Sequence, residues 1–217
     1  MRTWTSLALS LAAALGALAY GLAIYGALPE LIPTHWNLQG EVDGWMPKSL
    51  AVWLSPALAI GFTLLMQGLR AVSPVRYRVE PFLPTFNYVV LLVAGLLASL
   101  HVVSLQAALH PDLESGRVVV GGLLLFFGLL SNVLGKVRRN FWVGFRTPWT
   151  LASDRVWVAT HRLAARLGVV VGIVGVLMLW LGAPVPLAFV LVVAWVVVPV
   201  VYSLVVYRQW GGDGQAA

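Results

Sequence analysis

Six long apolar runs divide this chain, and they set the main limit on how it can fold. Most of them reach the roughly 20 residues that an α-helix needs to cross about 30 Å of hydrocarbon. Only 10% of the residues are charged, against roughly 25% in a typical soluble domain. We therefore predict an all-α polytopic membrane protein with about six transmembrane helices. The apolar runs are approximately residues 5–28, 49–69, 84–107, 118–137, 167–181 and 187–207.

The Lys and Arg residues predict which ends of these helices face the cytoplasm. With both termini inside, twelve of the fourteen basic residues lie in inner segments, and only Lys48 and Arg117 lie outside. The positive-inside rule favours this N-in, C-in arrangement over its reverse. The basic residues lie beside the apolar runs, where such flanks contact anionic lipid. The net charge of +6 is therefore explained by a lipid bilayer as partner, and we predict no direct contact with nucleic acid. We expect one transmembrane domain over residues 1–210 and a disordered tail over residues 211–217.

The predicted outer connector, residues 29–48, is longer than a link between two helices requires. Its polar and aromatic side chains are suited to contacting an outer ligand. The candidates are His35, Trp36, Asn37, Asp43, Trp45 and Lys48. The same residues also fit a compact, turn-rich hairpin at the membrane surface, because Asn and Asp-Gly favour turns and Trp favours the headgroup level.

A metal site is a third interpretation of the outer connector. His35, Glu41 and Asp43 are close in sequence, but their spacing matches no zinc motif, so they form only a weak candidate set. The chain has no cysteine, which excludes disulfides and thiolate ligands. We predict no cofactor.

The longest polar interruption among the apolar runs is residues 138–166, which carries six arginines and three tryptophans. A charge at the centre of a bilayer costs roughly 2.5–3.5 kcal/mol, so this segment must lie at the membrane surface. Gly144 and Pro148 predict a turn-rich loop, and Ser153 predicts the N-cap of a helix that begins at Asp154. We expect the guanidinium of Arg146 to bridge carbonyls of the loop and to hold the loop on this helix.

The predicted helix leads into the fifth apolar run and has two distinct faces. One face is a basic stripe that contains Arg155, Ala159, Arg162 and Arg166. The adjacent face carries Trp157, His161 and Ala164. Helical spacing places Asp154 on the side of His161. The stripe is typical of a surface helix that contacts lipid phosphates, and alternatively it is a docking face for a cytosolic partner.

The outer and inner segments together resemble the two signatures of the Sdp-type immunity protein family. The outer one reads IPTHWNLQGEVDGWMPKS, and the inner one reads NFWVGFRTPWTLASDRVWVATHR. The inner candidate residues are Asn140, Gly144, Arg146, Thr147, Pro148, Trp149, Asp154, Trp157, Thr160, His161 and Arg162. The resemblance implies a multi-pass protein of the bacterial inner membrane that gives resistance to a secreted, membrane-active toxin peptide. It also implies a transcriptional repressor as an inner partner.

A non-enzymatic immunity or signalling protein is thus the leading hypothesis, and two alternatives are open. A transporter of ions or small solutes normally carries an ionisable residue near the middle of a span, where this chain offers only His101. A membrane enzyme would use His35 and Asp43 outside, or Asp154 and His161 inside. Neither pair includes a nucleophile with its base, so we predict no catalytic residues.

Overall fold

The computed structural model describes residues 1–210, and in this part of the chain six long helices form a bundle. In chain order the helices and strands are α1 (Thr3–Ala23), β1 (Leu31–Trp36), β2 (Val42–Pro47), α2 (Lys48–Ala71), α3 (Leu83–Leu109), α4 (Ser115–Leu134), α5 (Pro148–Ala152), α6 (Asp154–Trp180) and α7 (Val185–Trp210). All but α5 among the helices are long and apolar enough to cross a membrane. The predicted all-α polytopic fold is therefore confirmed, while the predicted tail, residues 211–217, lies outside the described residues.

The helices run alternately up and down, so their connections fall at two ends of the bundle. One end carries the β1–β2 hairpin together with the α3–α4 and α6–α7 turns, and we call it the outer end. The opposite end carries residue 1, residue 210, the α2–α3 loop and the loop before α6, and we call it the inner end. These names follow the positive-inside prediction.

Glycines allow α4 and α6 to pack with their backbones in close contact. A methyl group on Gly172 would lie 2.7 Å from Cα of Gly128, and one on Gly168 would overlap the hydroxyl of Ser131. The indole of Trp195 on α7 joins the same group by donating to the carbonyl of Ala164 at 3.0 Å. Such close packing is a main source of stability between helices in lipid, where hydrophobic burial drives little association.

α6 is a continuous helix that begins in the predicted inner segment and ends at the outer end. It has no interior proline, whereas α2 and α7 contain Pro56 and Pro199. This confirms that the helix beginning at Asp154 continues into the fifth apolar run. At the outer end of α6, Nη1 of Arg117 on α4 donates to the carbonyls of Leu179 at 2.8 Å and Ala183 at 3.0 Å.

The structure differs from the sequence prediction at three places in the long helices and the outer connector. The predicted first span, residues 5–28, is too long, because α1 ends at Ala23 and a 3-10 turn follows. The predicted fourth span, residues 118–137, lies three residues too late, since α4 covers residues 115–134. The outer connector contains two paired strands, so the all-α description holds for the membrane-crossing part alone.

Candidate functional site

The outer hairpin, residues 31–47, is an antiparallel pair of strands whose turn is built around Asn37. Oδ1 of Asn37 accepts hydrogen bonds from the backbone N–H groups of Gln39 at 2.9 Å and Glu41 at 3.0 Å. Nδ2 of Asn37 donates to Oε2 of Glu41 at 3.1 Å. Asn37 therefore supports the turn itself, as Asn side chains commonly do.

The hairpin is fixed to the outer ends of α3 and α4. Nε1 of Trp36 donates to the hydroxyl of Ser115 at 2.9 Å, and the hydroxyl of Ser104 donates to the carbonyl of Pro33. Gly40, in the left-handed region at φ +85°, touches the backbone at Gly116, where a methyl group would overlap the Gly40 carbonyl. With Ile32 fully buried in the core below, the hairpin forms part of the bundle.

The base of the hairpin is closed by Lys48. Its Nζ donates to the carbonyl of Leu28 at 3.1 Å and pairs with Oε1 of Glu30 at 3.1 Å. The ammonium also lies 5.3 Å from the ring centre of Tyr25. Trp36, Asn37 and Lys48, which are candidate ligand-binding residues, thus make contacts that support the hairpin.

Three other candidates are displayed to the exterior. Nδ1 of His35 lies 2.5 Å from Oδ1 of Asp43, and the two side chains are 71% and 44% exposed. Gly44 faces His35 across the hairpin so closely that a methyl group there would lie 2.8 Å from Cβ of His35. Trp45 is 55% exposed on the opposite strand. The hairpin therefore presents a polar pair and an indole to the exterior.

The weak metal set of the sequence analysis is not assembled. Glu41 is bonded to Asn37, while His35 and Asp43 are bonded to each other. Among residues 1–210, no three His, Cys, Asp or Glu side chains converge to hold a metal ion.

A cavity of about 340 Å³ lies beneath the hairpin. His35 and Trp36 line its upper part, and His101 and Ser104 of α3 line its lower part. Most of the remaining wall is apolar and comes from α2, α4 and α7. His101 is 2% exposed, and its Nε2 has no hydrogen-bond partner among the described residues. The cavity thus connects the displayed histidine with a buried one.

At the inner end, the first part of the loop is organised by the fully buried Asn140. Its Oδ1 accepts from the N–H groups of Trp142 at 2.7 Å and Val143 at 2.8 Å. Its Nδ2 donates to the carbonyls of Arg138 at 2.7 Å and Val143 at 3.0 Å. All of these groups would lack partners without the Asn140 amide, so its role is structural.

The second part of the loop forms the short helix α5, which the sequence analysis expected to be irregular. Thr147 and Thr150 cap its start reciprocally, with the Thr147 N–H donating to Oγ1 of Thr150 at 2.9 Å. Oγ1 of Thr150 also donates to the carbonyl of Phe145 at 2.7 Å. The order Thr-Pro-x-Thr is a sequence signal for the start of a helix. Pro is favoured at the first helical position, and a Thr hydroxyl is favoured at the N-cap position before it.

His161 is buried at the centre of the inner segment, 1% exposed. Its Nε2 accepts from the N–H of Phe145 at 3.0 Å, so the proton is on Nδ1, which donates to the carbonyl of Trp157 at 2.8 Å. Its ring stacks on that of Trp157 at 4.1 Å. Gly144, at φ +111°, has room for no side chain, since a methyl group would overlap His161.

The arginine that joins loop and helix is Arg139, which the sequence analysis did not single out. Its Nε lies 2.9 Å from Oδ1 of Asp154, and its Nη1 donates to the carbonyl of Leu151 at 2.9 Å. Arg146 is exposed and contacts one carbonyl, that of Phe141. The expectation that Arg146 locks the loop onto the helix is therefore wrong.

The remaining inner candidates divide by exposure. Ser153 caps α6 as predicted, accepting from the N–H of Val156 at 3.4 Å. Trp157 and Thr160 are buried, and Nε1 of Trp157 donates to the carbonyl of Val137 at 2.8 Å. The candidates exposed at the surface are Arg146, Pro148, Asp154 and Arg162.

The fold and the structures at its two ends define a class of protein. It is a multi-pass helical membrane protein with an outer hairpin fixed to the bundle and a packed inner loop. The model of the SdpI/YfhL protein family matches residues 136–203, and that of a domain of unknown function, DUF1648, matches residues 12–60. Immunity protein SdpI of Bacillus subtilis (strain 168) is 30% identical over 194 residues, which cover 88% of this chain and 91% of that protein. No solved structure matches. The chain belongs to the SdpI family of immunity proteins.

Proposed function

We propose that this protein protects the bacterial cell that makes it against a secreted, membrane-active toxin peptide, which the outer hairpin recognises. The observation that carries the proposal is the display of His35, Asp43 and Trp45 on a hairpin that other residues hold in place. The relative named as an immunity protein supports the same role. In this proposal the protein lies in the inner membrane and acts by binding, without catalysis.

The chemistry of the hairpin suits an amphipathic peptide lying at the headgroup level. The exposed indole of Trp45 and the exposed side chains of Leu31 and Leu38 offer apolar contact area. With Nδ1 of His35 donating to Asp43, the pair leaves Nε2 of His35 and Oδ2 of Asp43 to contact polar groups of the peptide. Since the hairpin is already ordered by its contacts with α3 and α4, binding costs little conformational entropy.

Survival of a toxin-sensitive strain that expresses each variant tests this proposal. We expect His35→Ala, Asp43→Ala and Trp45→Ala to abolish protection at unchanged abundance in the membrane, measured by western blot. Gln39→Ala is the matched control, because Gln39 is exposed on the same hairpin and lies outside the displayed group. Full protection by all three variants at normal abundance would leave the hairpin as a cap on the bundle and reject its recognition role.

We further propose that the exposed remainder of the inner segment holds a cytosolic transcriptional repressor. The specific observation is that Arg146 and Arg162 stay exposed, while four other inner candidates, Asn140, Trp157, Thr160 and His161, are buried. Membrane fractionation after co-expression with a tagged candidate repressor tests this. We expect Arg146→Ala with Arg162→Ala to release the repressor into the soluble fraction, with Arg208→Ala as the control. Equal retention by the double variant and the control would contradict a docking role for the two arginines.

A further inference from the structure

A cavity of about 590 Å³ opens at the inner end between two basic segments that lie some sixty positions apart in the sequence. One wall comes from the α2–α3 loop, and the other comes from the loop after α4 and the start of α6. The basic side chains that line it are Arg76, Arg78, Arg138 and Arg139. The apolar part of its wall includes Trp157 and Val158 of α6.

Three of the four arginines of this inner basic cavity have no bonded carboxylate among the described residues, although Glu80, which is bonded to Arg70, interacts electrostatically with Arg78. Asp154 is its one lining carboxylate, and both of its oxygens are bonded to Arg139 at 2.9 and 3.3 Å. Arg76, Arg78 and Arg138 pair with no carboxylate within residues 1–210, and all three are exposed. Guanidinium groups that line one cavity repel one another, so an anion between them lowers the electrostatic free energy.

The two walls are tied together before any ligand arrives. Nε1 of Trp142 donates to the hydroxyl of Ser73 at 2.6 Å, which joins the inner segment to the end of α2. The ring of Tyr77 packs on that of Phe141 at 4.1 Å, and the guanidinium of Arg139 lies 5.8 Å from the Tyr77 ring centre. A cavity whose walls are fixed in this way requires little ordering when a ligand binds.

We propose that the inner basic cavity binds a phosphate-bearing anion, either the phosphodiester headgroup of an anionic lipid or a soluble phosphate ester. A guanidinium presents paired donors in a plane that fits two phosphate oxygens, which explains the choice of arginine throughout. The cavity is lined by the first turns of α6 and by Pro81, two residues before α3, so it lies next to the inner ends of two helices long enough to cross a membrane. Its volume is that of a small-molecule site, with room for a phosphate and the group it carries.

This site uses no residue of the outer hairpin and none of the exposed arginines assigned to the repressor. Its failure and the failure of the proposed immunity function can therefore be told apart. The variant for the test is Arg76→Gln with Arg78→Gln and Arg138→Gln, which removes the three unpaired charges. The matched control is Arg2→Gln with Arg166→Gln and Arg208→Gln, which removes three exposed charges from the same end of the bundle outside the cavity.

The melting temperature of the purified full chain in detergent is the first measurement, because a ligand that binds only the folded state raises it. One arm adds phosphatidylglycerol to the micelles, with phosphatidylcholine as the uncharged comparison. The other arm adds glycerol 3-phosphate, with sodium chloride at matched ionic strength. Native mass spectrometry of the same samples counts retained phosphatidylglycerol, which gives a second measurement independent of the intrinsic stability of each variant.

We expect the wild type and the control variant to be stabilised by several degrees and to retain lipid, while the cavity variant loses both effects. Each lost charge-assisted contact should weaken affinity about tenfold. A shift in the lipid arm alone identifies a headgroup site, and a shift with glycerol 3-phosphate as well identifies a site for soluble phosphate esters. No shift in either arm, or equal shifts in the cavity and control variants, would overturn the proposal.

Discussion

The two ends of the bundle use their polar residues in opposite ways. At the inner end, Asn140, Thr150 and His161 are buried, and their polar groups are satisfied by loop backbone. At the outer end, the His35–Asp43 pair faces the exterior on a hairpin that other side chains hold. A sequence signature therefore does not by itself mark a binding surface. In the inner signature, the buried polar residues stabilise the fold of the loop.

The largest effect expected is an all-or-none difference in labelling between the two ends. The chain has no cysteine, so Thr34→Cys and Ala152→Cys each create a single thiol at an exposed position. With the outer end outside, an impermeant thiol reagent applied to intact cells labels position 34 and leaves position 152 unlabelled until the cells are lysed. Ser153 is a poor site for this test because it is buried.

Labelling of position 152 in intact cells would reverse the assignment of the two ends. Such a result would not change the difference between the two ends, one with buried polar residues and the other with exposed ones. It would contradict the proposed toxin contact, because the hairpin would then face the cytoplasm.

The next effect concerns the packing of the inner segment. Gly144→Ala puts a methyl group into His161 and forces an alanine to a φ of +111°. We expect it to lower the free energy of unfolding by about 2–5 kcal/mol, from backbone strain and overpacking together. The melting temperature in detergent measures the loss. Gly61→Ala is the control, since nothing lies within 4 Å of the added methyl group.

The smallest effect separates two arginines of the same segment. Arg139→Lys loses the forked contact with Asp154 and Leu151, and we expect it to cost about 1–3 kcal/mol. Arg146→Lys should cost less than about 0.5 kcal/mol, because Arg146 is exposed and holds one carbonyl. Chemical denaturation of both variants under one condition compares them. A larger loss for Arg146→Lys would restore that residue as the one that locks the loop.

What the sequence could predict followed from local pattern. The six apolar runs gave the membrane helices, and Ser153 gave the start of α6 at the right residue. Contacts between distant segments left no local trace. The pairing of Trp36 with Ser115, the union of Arg139 with Leu151 and Asp154, and the meeting of Arg76 with Arg138 depend on how the helices pack. Sequence reasoning favoured Arg146 over Arg139 as the residue that holds the loop, because Arg146 lies inside the loop signature. Burial, which the sequence does not show, decides which of the two guanidinium groups has partners.

α6 has a mechanical consequence. At 1.5 Å per residue, its 27 residues form a rod about 40 Å long. Arg117 grips its outer end, and the contacts of Trp157 and His161 grip its inner end. Without an interior proline it lacks the commonest cause of a kink, so a tilt of the straight helix would displace both of its ends. A tilt of about 5° at the outer end shifts the inner end by about 3.5 Å, which exceeds the length of a hydrogen bond. The bonds that hold the inner loop are therefore sensitive to small displacements on the opposite side of the membrane.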